Sequence, residues 1–464
     1  SVVNDNNNDD YKVCSGNIVN EKVTEYPKLD SGTSYTDEIE VPFTDANTNS
    51  NSTMTDKVCM YGDSSANIKE TGVIEGNTCK LQGLKQNEKY YLRVCMKTSR
   101  GSYLCSNTES RSTLQVKKPT YTLSSNTLTI KYNNANINGE AKYYFKSTVK
   151  GTSNINVKRC TLSNNIFTCD GNTTTIEKYT WYQSSSNQIN ISYTTTGKAK
   201  VTARTVDKSN NYNESTKDFT INKYTITFIK EPADKIGGGT INITKSCYAI
   251  SGQSCSITSP DIEKKGYTII GWNTNKNATT SIWNINTSKS ISSSATYYPI
   301  LKANIYTITL NNQGATSSGT KKVYYQYNTT KTINGTTCYY YTNSSLTTCL
   351  SGGYNINKPS KTGYSFKGYY TSTNGSGTNY VNSSGTFINN AYKTIGDKTL
   401  YANWQANTYT ITYNANGGSG APSSQSYTYD PNNDTVFYLS STTPSRSGYT
   451  FLGWSLSSTA TSAS

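Results

Sequence analysis

Eleven cysteines and no histidine set the chemistry open to this chain. A nucleophilic Ser or Cys usually borrows a His as its base, and most zinc sites use His or closely spaced Cys pairs. No Cys-x-x-Cys occurs. Ser-His and Cys-His systems and the common metal triads are therefore excluded, and the sequence predicts neither an enzyme nor a cofactor. What recurs is a local cysteine pair around polar turn residues: Cys95/Cys105, Cys160/Cys169, Cys247/Cys255 and Cys338/Cys349. Examples are "CTLSNNIFTC" (160–169) and "CYAISGQSC" (247–255). Two strands joined by a short turn bring such positions within disulfide reach. Free buried thiols are the alternative, but four copies of one spacing class favour bridges. Cys59 and Cys79 are read as a fifth, longer loop, and Cys14 is left over. Bridges imply an oxidising compartment outside the cytosol.

Other chemistry finds little support. The 29 acidic residues show no clustering that would suit paired-carboxylate hydrolysis. The run "NDNNNDD" (4–10) reads as a solvated segment before it reads as a Ca²⁺ loop. "IGGGT" (236–240) lacks the Lys-Ser/Thr that follows a phosphate-binding loop. Net charge is +15, but only six of the 44 basic residues are Arg and no Lys run exceeds two. Nucleic-acid readers concentrate such charge on one face. The spread argues for a basic surface compatible with anionic cell-wall polymers, and against nucleic acid. No apolar run approaches the ~18 residues of a membrane span. A chain that begins at Ser1 reads as a processed or excised piece.

The elements that carry these cysteines are predicted to be strands. Only 33% of residues are hydrophobic, yet 40 are Tyr, and Asn, Ser, Thr and Gly abound. Tyr, Thr, Ile and Val suit strands, and Asn, Ser and Gly suit turns. "YTIT" recurs at 224, 306 and 409, with the alternation of a strand buried on one face. Each is followed by one phrase: "GYTIIGWN" (266–273), "GYSFKGYY" (363–370) and "GYTFLGWS" (448–455). Tyr267, Tyr364 and Tyr449 share a parity with Ile269, Phe366 and Phe451 and are read as core. Trp272, Tyr369 and Trp454 follow a Gly, where a bulge would turn them onto the same core. An exposed aromatic sugar pocket is the alternative. Only 17 residues run from Gly448 to Ser464. The third unit is therefore expected to lack a closing strand like "LYANW" (400–404), either because the chain is a fragment or because a neighbour donates one.

The phrases resemble the Listeria–Bacteroides repeat, the internalin-type B-repeat family of bacterial surface proteins. "YTITYNANGGSGAP" (409–422), "PSRSGYTFLGWS" (444–455), "KPSKTGYSFKGYY" (358–370) and "TLYANW" (399–404) carry the resemblance, which covers about 224–464. It implies small β-grasp-like units in strings, with no catalytic residues. Before it, "LQGLKQNEKYYLRV" (81–94) and the Gly hairpin that follows resemble a fibronectin type III domain. "GKAKVTARTVDKSNNYNESTKDFTI" (197–221) resembles the end of a bacterial immunoglobulin-like domain, with Val201, Ala203 and Val206 near a turn and Trp181 as core ring. The expected order is a polar segment (1–20), a fibronectin-like domain (21–117), an Ig-like domain (118–223) and repeats at 224–304, 305–407 and 408–464, the last truncated. The fold class is mainly β: tandem sandwiches followed by β-grasp-like repeats, with junctions short enough to predict an elongated rod. The expected function is a non-catalytic stalk or fibre segment of a secreted bacterial surface protein. The alternative is an adhesin module that grips a host protein or glycan. Neighbouring copies in a fibre are the other partner this reading allows.

Overall fold

The computed structural model describes residues 22–49, 52–433 and 437–464; Cys14 and the acidic run at 4–10 lie outside them. Among the described residues the regular structure is strand, apart from two single 3₁₀ turns at Thr373–Gly375 and Ala391–Lys393. The chain divides into two compact units. One holds the described residues to Thr227 together with 244–258 and 288–295, and the other holds 228–243, 259–287 and 296–464.

The first unit contains two sandwiches. In the first sandwich, Glu38–Thr44 pairs with Thr78–Gln82 in one layer, and Met54–Gly62 pairs with Lys89–Thr98 in the other. Strand Glu70–Glu75 belongs to both layers: residues 70–72 pair with 59–61, and 73–75 pair with 78–80. The alternating pattern of "EIEVPFT" and "YYLRV" puts Ile39, Val41, Phe43, Leu92 and Val94 between the layers. Cys59 and Cys79 are in the same core, and their bond ties one layer to the other.

The second sandwich uses the same device. Strand Gly151–Ser163 pairs with Gln188–Ser192 through Thr152 and Ser153, and with Trp181–Ser184 through residues 158–160. A register shift between Thr152 and Val157 lets one strand serve both sheets. Tyr143, Phe145, Tyr182, Val201 and Ala203 fill the core. Trp181 does not belong to it. Neighbours along a strand face opposite ways, so Tyr182 points inward and Trp181 joins an outer cluster with Tyr144, Cys160 and Val206. Val206, one parity away from Val201 and Ala203, goes with it.

In the second unit, residues 305–406 form a five-stranded sheet. Ile305–Asn311 lies between Lys322–Gln326 and Lys398–Ala406, and the latter pairs with Tyr364–Tyr370, which pairs with Asn379–Val381. The central pair is parallel and the others antiparallel. In sequence order the strands run second, first, fifth, third, fourth. Upstream, Tyr267–Asn273 pairs antiparallel with residues 298–303. Downstream, Thr408–Ile411 and Gln425–Thr428 make a hairpin, and 448–455 is not a strand.

Candidate functional site

The structure brings the cysteines together in five bonds. Cys95 lies directly opposite Cys105, and Cys160 opposite Cys169, with Cα atoms 4.0 and 4.1 Å apart. Cys247–Cys255, Cys338–Cys349 and Cys59–Cys79 span 5.9, 5.4 and 5.8 Å. The four short pairs bracket tight turns; the fifth bridges layers.

The repeated aromatic phrase resolves into two jobs. Register shifts fall between Ile269 and Gly271 and between Phe366 and Gly368, so each Gly is at a bulge. Gly271 and Gly368 have φ of 133° and 123°, a region that favours glycine. A Cβ on Gly271 would also lie 2.7 Å from the Trp283 carbonyl oxygen. Beyond the bulge, Trp272 and Tyr369 are fully buried. The Trp272 indole donates to the Pro260 carbonyl at 3.0 Å and packs edge-on against Phe228, ring centroids 4.9 Å apart. Trp454 is only partly buried, against Tyr413 and Phe451 at 4.7 and 5.1 Å.

The tyrosines before the bulge are not core. Tyr267 and Tyr364 are half-buried, and Tyr449 is 69% exposed. Tyr267 and Tyr364 stand at strand ends, where their rings meet residues of a later segment, Tyr327 and Tyr429. Ile269 and Phe366, which share their parity, are half-buried as well, so this parity lines the margin of the core and not its centre. Around the third phrase no strand pairs with it among the described residues, and a groove of about 750 Å³ lies between Ile411, Tyr413, Pro444, Arg446, Phe451 and Trp454.

A polar contact between the two sandwiches of the first unit carries no cysteine and no aromatic signal. Thr36 Oγ1 donates to Asp207 Oδ2 at 2.7 Å, Ser209 Oγ to Asp37 Oδ2 at 2.6 Å, and Lys208 Nζ to Glu38 Oε2 at 2.8 Å. Asp207 Oδ1 accepts the Ser209 and Asn211 amides, both at 2.9 Å, which folds "DKSNN" into a rigid turn. Asn211 Nδ2 reaches the Leu84 carbonyl at 2.9 Å. Thr36, Asp37, Glu38 and Asp207 are all buried. Burial raises the Asp37 carboxyl above its ordinary range, helped by the Asp207 charge and opposed by the Ser209 hydrogen bond. Glu38 feels the same burial, but the Lys208 hydrogen bond and charge outweigh it and hold the carboxyl low. Sequence reading missed this contact. The "TDE" of 36–38 and the "DKS" of 207–209 are common turn residues, and nothing local joins them.

Beside this contact, the Arg204 guanidinium lies 3.9 Å from the Tyr212 ring centroid and 5.3 Å from that of Trp181, with Glu214 Oε2 at 2.9 Å. That is why Trp181 is buried on an outer face: a stacked cation and the 160–169 hairpin cover it.

Residues 224–299 and 409–464 match the family model of the Listeria-Bacteroides repeat domain. These two stretches are similar to Listeria-Bacteroides repeats. A relative from Evansella cellulosilytica, bearing the name Gly-rich membrane protein, is 25% identical over 238 residues, which is 50% of this chain and 21% of that protein. Among solved structures, fibronectin(III)-like modules of Clostridium thermocellum CbhA align at 13% identity over 41% of this chain and 92% of theirs, with a TM-score of 0.15. The chicken CNTN1 FN1-FN3 domains align at 11% identity over 60% and 92%, with a TM-score of 0.18. At these scores the superpositions add nothing to what the strand pairing shows. The repeats and the disulfides fit a secreted or surface protein. No helix among the described residues is long and apolar enough to cross a membrane.

Proposed function

We propose that this chain is a structural segment, a stalk or fibre piece of a secreted bacterial cell-surface protein, that positions other parts and performs no catalysis. The carrying observation is the contact between the first two sandwiches, where three side-chain bonds cross from 36–38 to 207–209. A hinge between independent modules has no use for buried, one-to-one polar bonds, because each costs desolvation unless its partner is in place. The strand order of 305–406, with a parallel central pair, supports the β-grasp-like reading of the repeats. The test is a binding screen of the whole chain against glycans, host surface proteins and anionic wall polymers. A structural segment gives no saturable binding; saturable binding lost on a single surface substitution overturns the reading.

One observation favours the second reading, a host-protein or glycan-binding module. The groove at 411–456 gathers exposed Tyr449, Leu452 and Leu456 beside Trp454, an amount of apolar surface that often marks an interaction site. If the screen yields a ligand, substitution of Trp454 decides whether this groove holds it.

A further inference from the structure

The Gly-Tyr at the head of each repeated phrase builds the same contact twice. At the first, the Asn304 amide donates to the Gly266 carbonyl at 2.9 Å, and the Tyr327 amide donates to the Asn304 carbonyl at 2.9 Å. The Tyr327 ring lies directly on Gly266, where a Cβ would fall deep inside the ring's van der Waals surface. It meets Tyr267 edge-on at 5.8 Å and 85°. At the second, Asn407 donates to Gly363 at 2.9 Å, and Tyr429 donates to Asn407 at 2.8 Å. The Tyr429 ring covers Gly363 and meets Tyr364 at 5.4 Å and 85°. The asparagine side chains repeat as well. Asn304 bonds Thr268 and Tyr306, and Asn407 bonds Ser365 and Tyr409. Each contact thus joins the Gly-Tyr of one repeat, through the Asn at the junction, to the first strand and a strand-end Tyr of the next.

The third Gly-Tyr has the same preset backbone. Gly266, Gly363 and Gly448 have φ of 78°, 79° and 78°. Tyr267, Tyr364 and Tyr449 each donate their amide three residues back, to Lys264, Lys361 and Arg446, at 3.3, 3.0 and 3.1 Å. Those cations lie over the three rings at 5.0, 4.7 and 4.2 Å. Yet nothing is within 4 Å of where a Gly448 Cβ would be. A left-handed Gly costs chain entropy, and the two occupied copies show what that geometry admits: an aromatic ring against bare backbone.

We infer that the Gly-Tyr pair is a docking surface for the following repeat, and that Gly448–Tyr449 is a preformed copy whose occupant is the leading hairpin of a further repeat, held in series. It would recognise an exposed tyrosine ring for Gly448, an asparagine amide for the Gly448 carbonyl, and a ring edge for Tyr449. The inference rests on the two occupied contacts and not on the stalk reading.

The test has two arms. In the whole chain, Gly266→Ala should speed amide hydrogen exchange at Asn304 at least tenfold. In a Tyr327→Ala background it should add distinctly less, only the strain of an alanine at a left-handed position, because the ring it displaces is gone. Equal effects in both backgrounds overturn the contact as the coupling element. For the third copy, a second copy of residues 388–464 is appended after Ser464, and nitration of Tyr449 is read by peptide mass. Tyr449 should become at least fivefold less reactive than in the unextended chain. Gly448→Ala in the extended chain should restore its reactivity. Unchanged reactivity, or an appended hairpin whose amides gain no protection, overturns the inference. So does concentration-dependent self-association of the unextended chain that Gly448→Ala abolishes, since the occupant would then be another molecule.

Discussion

Tyr→Phe should have opposite signs at two positions in one core. Tyr325 and Tyr369 are both fully buried in the sheet of residues 305–406. The Tyr325 hydroxyl faces the Thr394 and Gly396 carbonyls at 3.0 and 2.9 Å. The Tyr369 hydroxyl has no hydrogen-bond partner among the described residues, and burial pushes its pKa up to about 12. Phe keeps the ring and removes only the hydroxyl. At Tyr325 that loses a bond worth about 1 kcal/mol net. At Tyr369 it removes an unpaired polar group that costs about 1–3 kcal/mol to bury, against a few lost contacts of ~0.1–0.2 kcal/mol each. Tyr369→Phe should therefore stabilise by about 1 kcal/mol, and Tyr325→Phe destabilise by about as much. The gap of about 2 kcal/mol is roughly 30-fold in a local opening equilibrium. A chain of several modules does not unfold in one step, so whole-chain melting is the wrong assay. Native-state hydrogen exchange at Leu400 and Ala402 is the right one, because their strand lies between those of Ile308 and Tyr369. Faster exchange in Tyr369→Phe, as in Tyr325→Phe, refutes the reasoning.

Three further outcomes are expected. Asp37 has a raised pKa, so its destabilising charge is absent below the ordinary carboxylate value and fully present above the raised one. Asp37→Asn should slow native-state hydrogen exchange in strand Glu38–Thr44 at neutral pH and change it little near about pH 3, each compared with the unsubstituted chain at the same pH; a difference that does not grow with pH contradicts the assignment. Arg204→Lys should destabilise the second sandwich by about 1–2 kcal/mol, read as faster native-state hydrogen exchange at Phe145 and Ala203, since an ammonium cannot stack flat against Tyr212; unchanged exchange would argue that the stack is incidental. Unreduced peptide mapping should recover 59–79, 95–105, 160–169, 247–255 and 338–349, and replacing Cys59 and Cys79 together by Ala should cost about 3 kcal/mol, given their 20-residue separation. Crossed pairs in the map contradict this fold.

What could be read from the sequence was local. Cys95 and Cys105 must be opposite one another if "MKTSRGSYL" turns back on itself, so spacing alone suffices. The Gly-aromatic break in "GYTIIGWN" is legible because a period-two pattern cannot bury Tyr267 and Trp272 together without a bulge, although the structure resolves the conflict by burying only Trp272. Trp181 was misread because its neighbour Tyr182 is equally apolar and parity alone could not choose between two rings. Tyr267 was misread because its neighbour in space, Tyr327, is 60 positions away and belongs to the next repeat. The contact at Thr36, Asp37 and Glu38 has the same obstacle in stronger form. Its partners at 207–209 are some 170 residues distant, and each half looks like an ordinary turn.

The composition now has a physical account. A chain with 33% hydrophobic residues lacks the aliphatic bulk to fill two sandwiches and a set of repeats. Tyrosine supplies ring volume at the cost of one hydroxyl per ring, and that hydroxyl must find an acceptor or be paid for. Tyr132 reaches the Tyr144 carbonyl at 3.0 Å, Tyr121 the Ser215 carbonyl at 2.6 Å, and Tyr340 the Asn389 carbonyl at 3.1 Å. These three acceptors are backbone carbonyls, a group every residue provides, whereas Tyr193 donates to the Ser147 hydroxyl and Tyr413 to the Gln425 side chain. Five disulfides add cross-links, four across turns and one between layers. Tyr369 is the exception that tests the rule: at the place where the sister phrase has Trp272, whose indole finds the Pro260 carbonyl, this chain has a tyrosine whose hydroxyl finds none.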